Sequence, residues 1–445
     1  MVQSANPALA GRVISRPRTA ARLGRRLTTT PGRMRLASVA IIVALLALAV
    51  VGTGAVHARQ RATDAVGQQA GSLLVGAEVI YSSLADADAT ATNIFLKAGL
   101  EPPERRQAYL DDLAAAATQL AVVARQAGAS KEAAQALDVI NKDLPTYSGL
   151  LEAARANNRL GLPVGAAYLR QGSKLMQAEI LPAVGKLYQV EAGRLNQAYA
   201  SGRSAFDVAR VLLVAGLVIA GLVFCQIFLA RRTNRLFNLP LLVGTLLTLV
   251  VLAWSLFAFT ASASRLKEAR TKGSDPVQLL SSARILLSRA QADENLALVA
   301  RGSGSQYLAD FAAVIAELGP ADGSSGLMAE AQRSAPAAAS LTGSGSPYAA
   351  YLTAHDAVVA AGSNGEFAKA VDLATGNAAS DELPAASQLS TALSERIKAA
   401  QKVFDVKAAA AAHDLARLSL GVIGLAVLAA GSAFFGLQQR INEYR

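Results

Sequence analysis

Between Val211 and Ser264 the chain carries only three charged residues, Arg231, Arg232 and Arg235. The run before them, Val211 to Ala230, and the run after them, Leu236 to Ser264, are apolar and uncharged. A bilayer core of about 30 Å takes roughly 20 apolar residues in helical form, so each run is long enough to cross it. Leu36 to Val56 and Leu418 to Gln439 share the property, and no other stretch does. The expected organisation is an all-α integral membrane protein. A tail (1–35) precedes spans at 36–56, 211–230, 240–262 and 418–439, polar regions at 57–210 and 263–417, a turn at 231–239 and a last tail at 440–445.

The placement of charge orients these segments. Eight arginines and no acid precede Leu36, the turn adds three more, and the last six residues hold Arg440 and Arg445 against Glu443. The net charge of +11 therefore lies almost wholly on one side of the expected membrane. By the positive-inside rule that side is the cytoplasm, which places both termini inside and both polar regions outside the cell membrane. A basic balance distributed in this way argues for membrane lipid and against nucleic acid as its partner. The single cysteine, Cys225, falls in a span, so the external regions fold without disulfides. Val56-His57-Ala58 resembles a signal-peptidase site, but 35 residues are long for a signal peptide's charged region, and an uncleaved anchor is expected. The first tail has the composition of a disordered segment, in which Arg33 and Arg35 meet anionic headgroups. Its Thr28-Thr29-Thr30-Pro31 fits either a phosphorylation site or a plain topogenic tail.

Both polar regions read as helical bundles. Leu73, Ala77, Ile80, Leu84, Ala87, Ala91 and Ile94 recur at spacings of four and three. Such a stripe fits pairing within a bundle or between the protomers of a homodimer. Breaks are expected at Gly99 to Pro103, near Gly128, around Pro145 and at Gly161-Leu162-Pro163, with Pro182 marking a last long helix that runs into the membrane. The second region echoes the first. Pro145 and Leu181-Pro182-Ala183 return as Pro347 and Leu383-Pro384-Ala385 at an offset of 202, and the stripe returns as Leu279, Ala283, Leu286, Ala290, Asp293, Ala297 and Ala300. An internal duplication follows, with two extracytoplasmic four-helix-bundle-like domains. Gly302 to Ser305, Gly319 to Gly326 and Gly343 to Ser346 read as loops.

Catalytic machinery is not evident. The histidines His57, His355 and His413 are scattered, with no partner at metal-ligand spacing, and there is no phosphate-binding loop or cysteine pair. No catalytic residue, metal or cofactor is therefore assigned. The spans hold no ionisable path for a transported ion; Gln226, Thr245, Thr248 and Ser255 suit helix-helix hydrogen bonds, and Gly216, Gly221, Gly421, Gly424 and Gly431 suit close helix approach. Asp86, Asp88, Asp293 and Glu294 are the ligand-binding candidates, with a solvated face as the default for acids of this kind. Arg105-Arg106 and Asp111-Asp112 read as exposed helix pairs.

A helical bundle flanked by two spans resembles the sensor half of bacterial chemoreceptors and sensor kinases, here doubled and without an output domain. The layout, the arginine turn Arg231 to Arg235 and the ending Arg440-Ile441-Asn442-Glu443-Tyr444-Arg445 together resemble actinobacterial GlnX-type membrane proteins. The resemblance implies a signal transducer that links an extracytoplasmic amino-acid-binding lipoprotein to a cytoplasmic Ser/Thr kinase, protein kinase G. It would place the kinase contacts on Arg231, Arg232, Arg235, Arg440, Glu443, Tyr444 and Arg445. The rival expectation is a structural or scaffolding envelope protein that binds other proteins without signalling.

Overall fold

The computed structural model describes residues 30–97, 101–126, 130–233, 238–335, 340–376, 378 and 381–442. No strand occurs among them, and four of the helices are long and apolar enough to cross a membrane. The protein is an all-α, multi-pass membrane protein. Its chain divides into two compact units, residues 1–57, 204–259 and 416–445 on one hand and residues 58–203 and 260–415 on the other.

The first unit holds the spans. They lie on α1 (Thr30–Asp64), α7 (Ala205–Thr233), α8 (Leu239–Ala269) and α14 (Glu382–Asn442). Leu45, Leu222, Leu241 and Ala433 meet in its core, while Val50, Phe224, Phe257 and Phe435 stay exposed, as befits helices whose solvent is lipid. Gln226 donates to Thr245 on the next helix at 2.9 Å, whereas Thr248 and Ser255 bond back to Gly244 and Val251 of their own helix. Of the five glycines expected to admit a neighbouring helix, only Gly421 does so. A Cβ there would run into the Trp254 ring, while one at Gly216, Gly221, Gly424 or Gly431 would meet nothing. Helix α1 begins at Thr30, inside the stretch read as a disordered tail; residues 1–29 lie outside the described residues.

The second unit contains both polar regions, packed together. Its first half comprises α2 (Gly71–Leu96), α3 (Pro103–Gln126), α4 (Lys131–Arg159), α5 (Val164–Leu175) and α6 (Leu181–Gly202). Its second half comprises α9 (Asp275–Val299), α10 (Ser305–Leu318), α11 (Gly326–Ser334), α12 (Pro347–Ser363), α13 (Phe367–Thr375) and the first part of α14. The second half thus has the short helices α11 and α13 beyond the four expected. Three π-helical turns, Ala65–Ala70, Met176–Ile180 and Arg270–Ser274, join α1 to α2, α5 to α6 and α8 to α9 without ending the helical path. Pro182 consequently sits inside a continuous helix instead of starting one. That helix ends at Gly202, with Arg203 outside helical geometry, so the run into the membrane is interrupted there.

The matched prolines serve different ends. Helix α4 runs through Pro145, overturning the expected interruption: Pro145 and Asn141, whose carbonyl loses its partner, both face solvent, where water replaces the missing bond. Pro347 instead opens α12 just after Ser346, whose hydroxyl caps the Ala349 amide at 3.2 Å. The first stripe is the core of its half, buried from Leu73 to Ala91 with Ile94 half-buried. The second is displaced, since Val277, Leu280, Ala283, Leu287 and Ala290 are buried while Leu279, Ala297 and Ala300 are only partly so. A shared cluster of Val66, Leu74, Tyr199, Leu266 and Phe404 underlies both halves.

Candidate functional site

Helices α2 and α9 pack side by side along a seam of small residues. Ala85, Ala89, Ser281, Ser288 and Ala292 keep the side chains short, so polar groups of one helix reach those of the other. Asp86 pairs with Arg284 and accepts from the Ser288 hydroxyl. Seven residues on, which is two turns and the same face, Asn93 donates to Asn295 at 3.5 Å, and Asn295 donates back to Thr92 at 3.3 Å. Asp86 with Ser288 and Asn93 with Asn295 are both separated by 202 residues, the offset of the paired prolines. Buried Glu78 lies on the same seam. Burial pushes its carboxyl up, against the charge of Arg284.

Behind the seam each half holds its own polar layer. In the first, Asp88 is 2% exposed and accepts from Ser173 at 2.6 Å and from Tyr147 at 3.2 Å. Desolvation raises its pKa to about 6, with those hydroxyls holding it lower than burial alone would. Gln177, in the π-helical turn, lies within 3.4 Å of Ser173 and donates to Asp293 at 3.3 Å, linking the two halves. Asp293 is 1% exposed and faces Arg289 at 3.8 Å; burial lifts its pKa to about 7 against the pull of that arginine. In the second half Glu294 is 2% exposed, and its Oε1 lies 2.9 Å from His355 Nδ1. Glu382 adjoins them, so that one donor atom from each of the three lies within 4.8 Å of the others. Desolvation raises Glu294 to about 7 and Glu382 well above the usual carboxylate range, and lowers His355.

A separate pocket lies where α3, α4 and the end of α2 converge, lined by Phe95, Tyr109, Leu151, Asn158 and Leu169. Glu101 sits there beside Arg155, with Arg159 at 3.9 Å and Arg106 at 4.0 Å, and Arg106 also binds Glu152 at 2.5 Å. Arg106 is thus held by acids of other segments and not by a solvated pair on its own helix. Asp112 is likewise half-buried, its pKa raised to about 7 by desolvation and by Asp86.

The four acids singled out from the sequence lie on or behind this one seam, and the default of a solvated face fails for Asp88, Asp293 and Glu294. Of the cytoplasmic candidates, Arg231 is exposed near the end of α7. Arg232 and Arg440 lie on helices without described side chains, and Arg235, Glu443, Tyr444 and Arg445 lie outside the described residues. Sequence reasoning missed Ser173, Gln177, Arg284, His355 and Glu382. The 202 offset, applied to Asp86 and Asn93, could have identified the seam, but no local spacing unites Glu294, His355 and Glu382.

Residues 62–200, which form most of the first half of this unit, match the model of an actinobacterial sensor domain. No curated protein and no solved structure matches the chain.

Proposed function

We propose, from the sensor-domain match over residues 62–200, that the protein is a non-enzymatic transmembrane signal transducer of the actinobacterial cell membrane. That match is the observation that carries the reading, since the bundle containing Asp88 is similar to a sensor domain. In this reading both polar regions are extracytoplasmic, both termini are cytoplasmic, and the signal is an amino acid or an amino-acid-loaded binding lipoprotein. The link through Gln177 gives the first half a route to the second, and the unbroken helices α1, α8 and α14 supply elements that shift as rigid rods. The receiver is a cytoplasmic partner such as a Ser/Thr kinase, which contacts Arg231, Arg232, Arg235 and the terminal segment Arg440 to Arg445. The likeness to GlnX-type proteins supports the choice of receiver and of ligand class.

The test uses the full chain in lipid nanodiscs with each amino acid in turn. A ligand at 100 times its Kd stabilises a folded protein by about 2.7 kcal/mol, a rise in Tm of several degrees. One responding amino acid supports direct sensing. If none responds, a phosphoproteome that changes on deletion of the gene supports relayed sensing, and an unchanged one overturns signalling in favour of scaffolding. Charge reversal at Arg231, Arg232 and Arg235 together, in correctly inserted protein, should abolish the phosphorylation response.

A further inference from the structure

We infer that Glu294, His355 and Glu382 form a binding site for one divalent transition-metal ion, of the Zn2+, Mn2+ or Fe2+ class, inside the second bundle. Three elements supply one ligand each: Glu294 comes from α9, His355 from α12, and Glu382 is the first residue of α14. Their donor atoms already lie within 4.8 Å of one another. The 2.9 Å between His355 Nδ1 and Glu294 Oε1 is close to the roughly 3 Å that separates neighbouring ligands around an ion with bonds of about 2.1 Å.

Charge points the same way. Two carboxylates, 2% and 5% exposed, stand side by side, and no lysine or arginine among the described residues pairs with either. Like charges at this distance do not both ionise in a dry interior unless a cation joins them. Glu294 Oε2 is fully buried and has no hydrogen-bond partner, which leaves a strong acceptor unsatisfied. The Tyr351 hydroxyl, one turn before His355 on α12, is also buried without a partner. The imidazole is held in place by Phe311, whose ring stacks on it at 3.8 Å and 16°.

The donor types select the ion. An imidazole with two carboxylates suits Zn2+, Mn2+ or Fe2+; the nitrogen disfavours Ca2+ and Mg2+, and the lack of sulfur disfavours Cu(I). Three protein ligands leave at least one coordination position open. The site goes beyond the signalling reading and does not depend on it, because metal content is measured without any amino acid or kinase.

The experiment strips full-length protein in detergent with chelator, then titrates Zn2+, Mn2+ and anaerobic Fe2+ separately, with elemental analysis after desalting. The expected result is one equivalent of at least one ion and a rise in Tm. His355→Ala and Glu294→Gln should each weaken binding by at least about 100-fold, more than loss of an outer-shell partner does. His413→Ala, at an exposed histidine, should leave binding unchanged. Glu382→Gln removes one of two crowded charges, so it should fold even if the others do not, and it should also bind at least about 100-fold more weakly. Absence of a stoichiometric ion in the wild type overturns the proposal. So does Glu382→Gln that binds like the wild type, which would leave the two carboxylates sharing a proton and any ion at the surface.

Discussion

Asp88 and Glu294 each stand on the first helix of their half and point an acid into its interior, yet the two interiors accommodate the charge differently. Around Asp88 both oxygens accept from hydroxyls, Tyr147 on one and Ser173 on the other. Around Glu294 a histidine occupies one oxygen, the other is bare, and a second acid, Glu382, is added. The first layer is complete as the chain builds it; the second needs a proton or a cation to become so. A repeated architecture therefore does not imply a repeated site, because the seam between α2 and α9 is shared while the layers behind it are set by α4, α5, α12 and α14.

The contrast can be broken at three levels. The largest effect is expected at Phe404, which is packed against the π-turn exits of both halves. Cβ atoms placed on Gly71 and Gly273 would lie 2.6 and 2.7 Å from it. Phe404→Ala should lower stability by about 3–5 kcal/mol in denaturant titration, with both bundles losing hydrogen-exchange protection. If only the second half loosened, the halves would be independent modules.

Next comes pH. The pKa of Asp88 is raised to about 6 by burial, above its unfolded value, so the folded state holds the proton more tightly. The stability this confers is fully present below about pH 4 and is lost as pH rises through about 6, a change on the order of 2–3 kcal/mol. Asp88→Asn should remove that component, read as the difference between wild-type and variant Tm from pH 4 to 7. A variant that kept the full slope would assign it to other acids.

The smallest effect is at the seam. Asp86 and Arg284 are both partly exposed, so a double-mutant cycle with Asp86→Ala and Arg284→Ala should give a coupling of about 1 kcal/mol, weaker in salt. A coupling near zero would mean that shape alone joins the halves.

Much of this was legible in residue order. The uncharged runs predict the spans, and the spacing of Leu73 to Ala91 predicts the core face of α2. Gly161, in the left-handed region at φ 68°, and the Gly-Ser stretches mark true ends. Proline misled, because whether it breaks a helix depends on whether water can reach the freed carbonyl: Asn141 and Pro145 are exposed residues, and α4 continues through them. The acids misled for a related reason. A carboxyl on an amphipathic helix reads as solvated until another helix covers it, and here α4 and α5 cover Asp88 while α12 and α14 cover Glu294.

The sequence by itself determined the helical class, the number of spans and the asymmetry of charge, since each follows from local composition and a period of 3.6 residues. Tertiary structure alone decided that the two polar regions form one unit, that Gln177 links their acids, and that Glu294, His355 and Glu382 converge. Those outcomes rest on packing between residues 61 to 203 positions apart. At such separations side-chain fit sets who meets whom, and no local pattern encodes it.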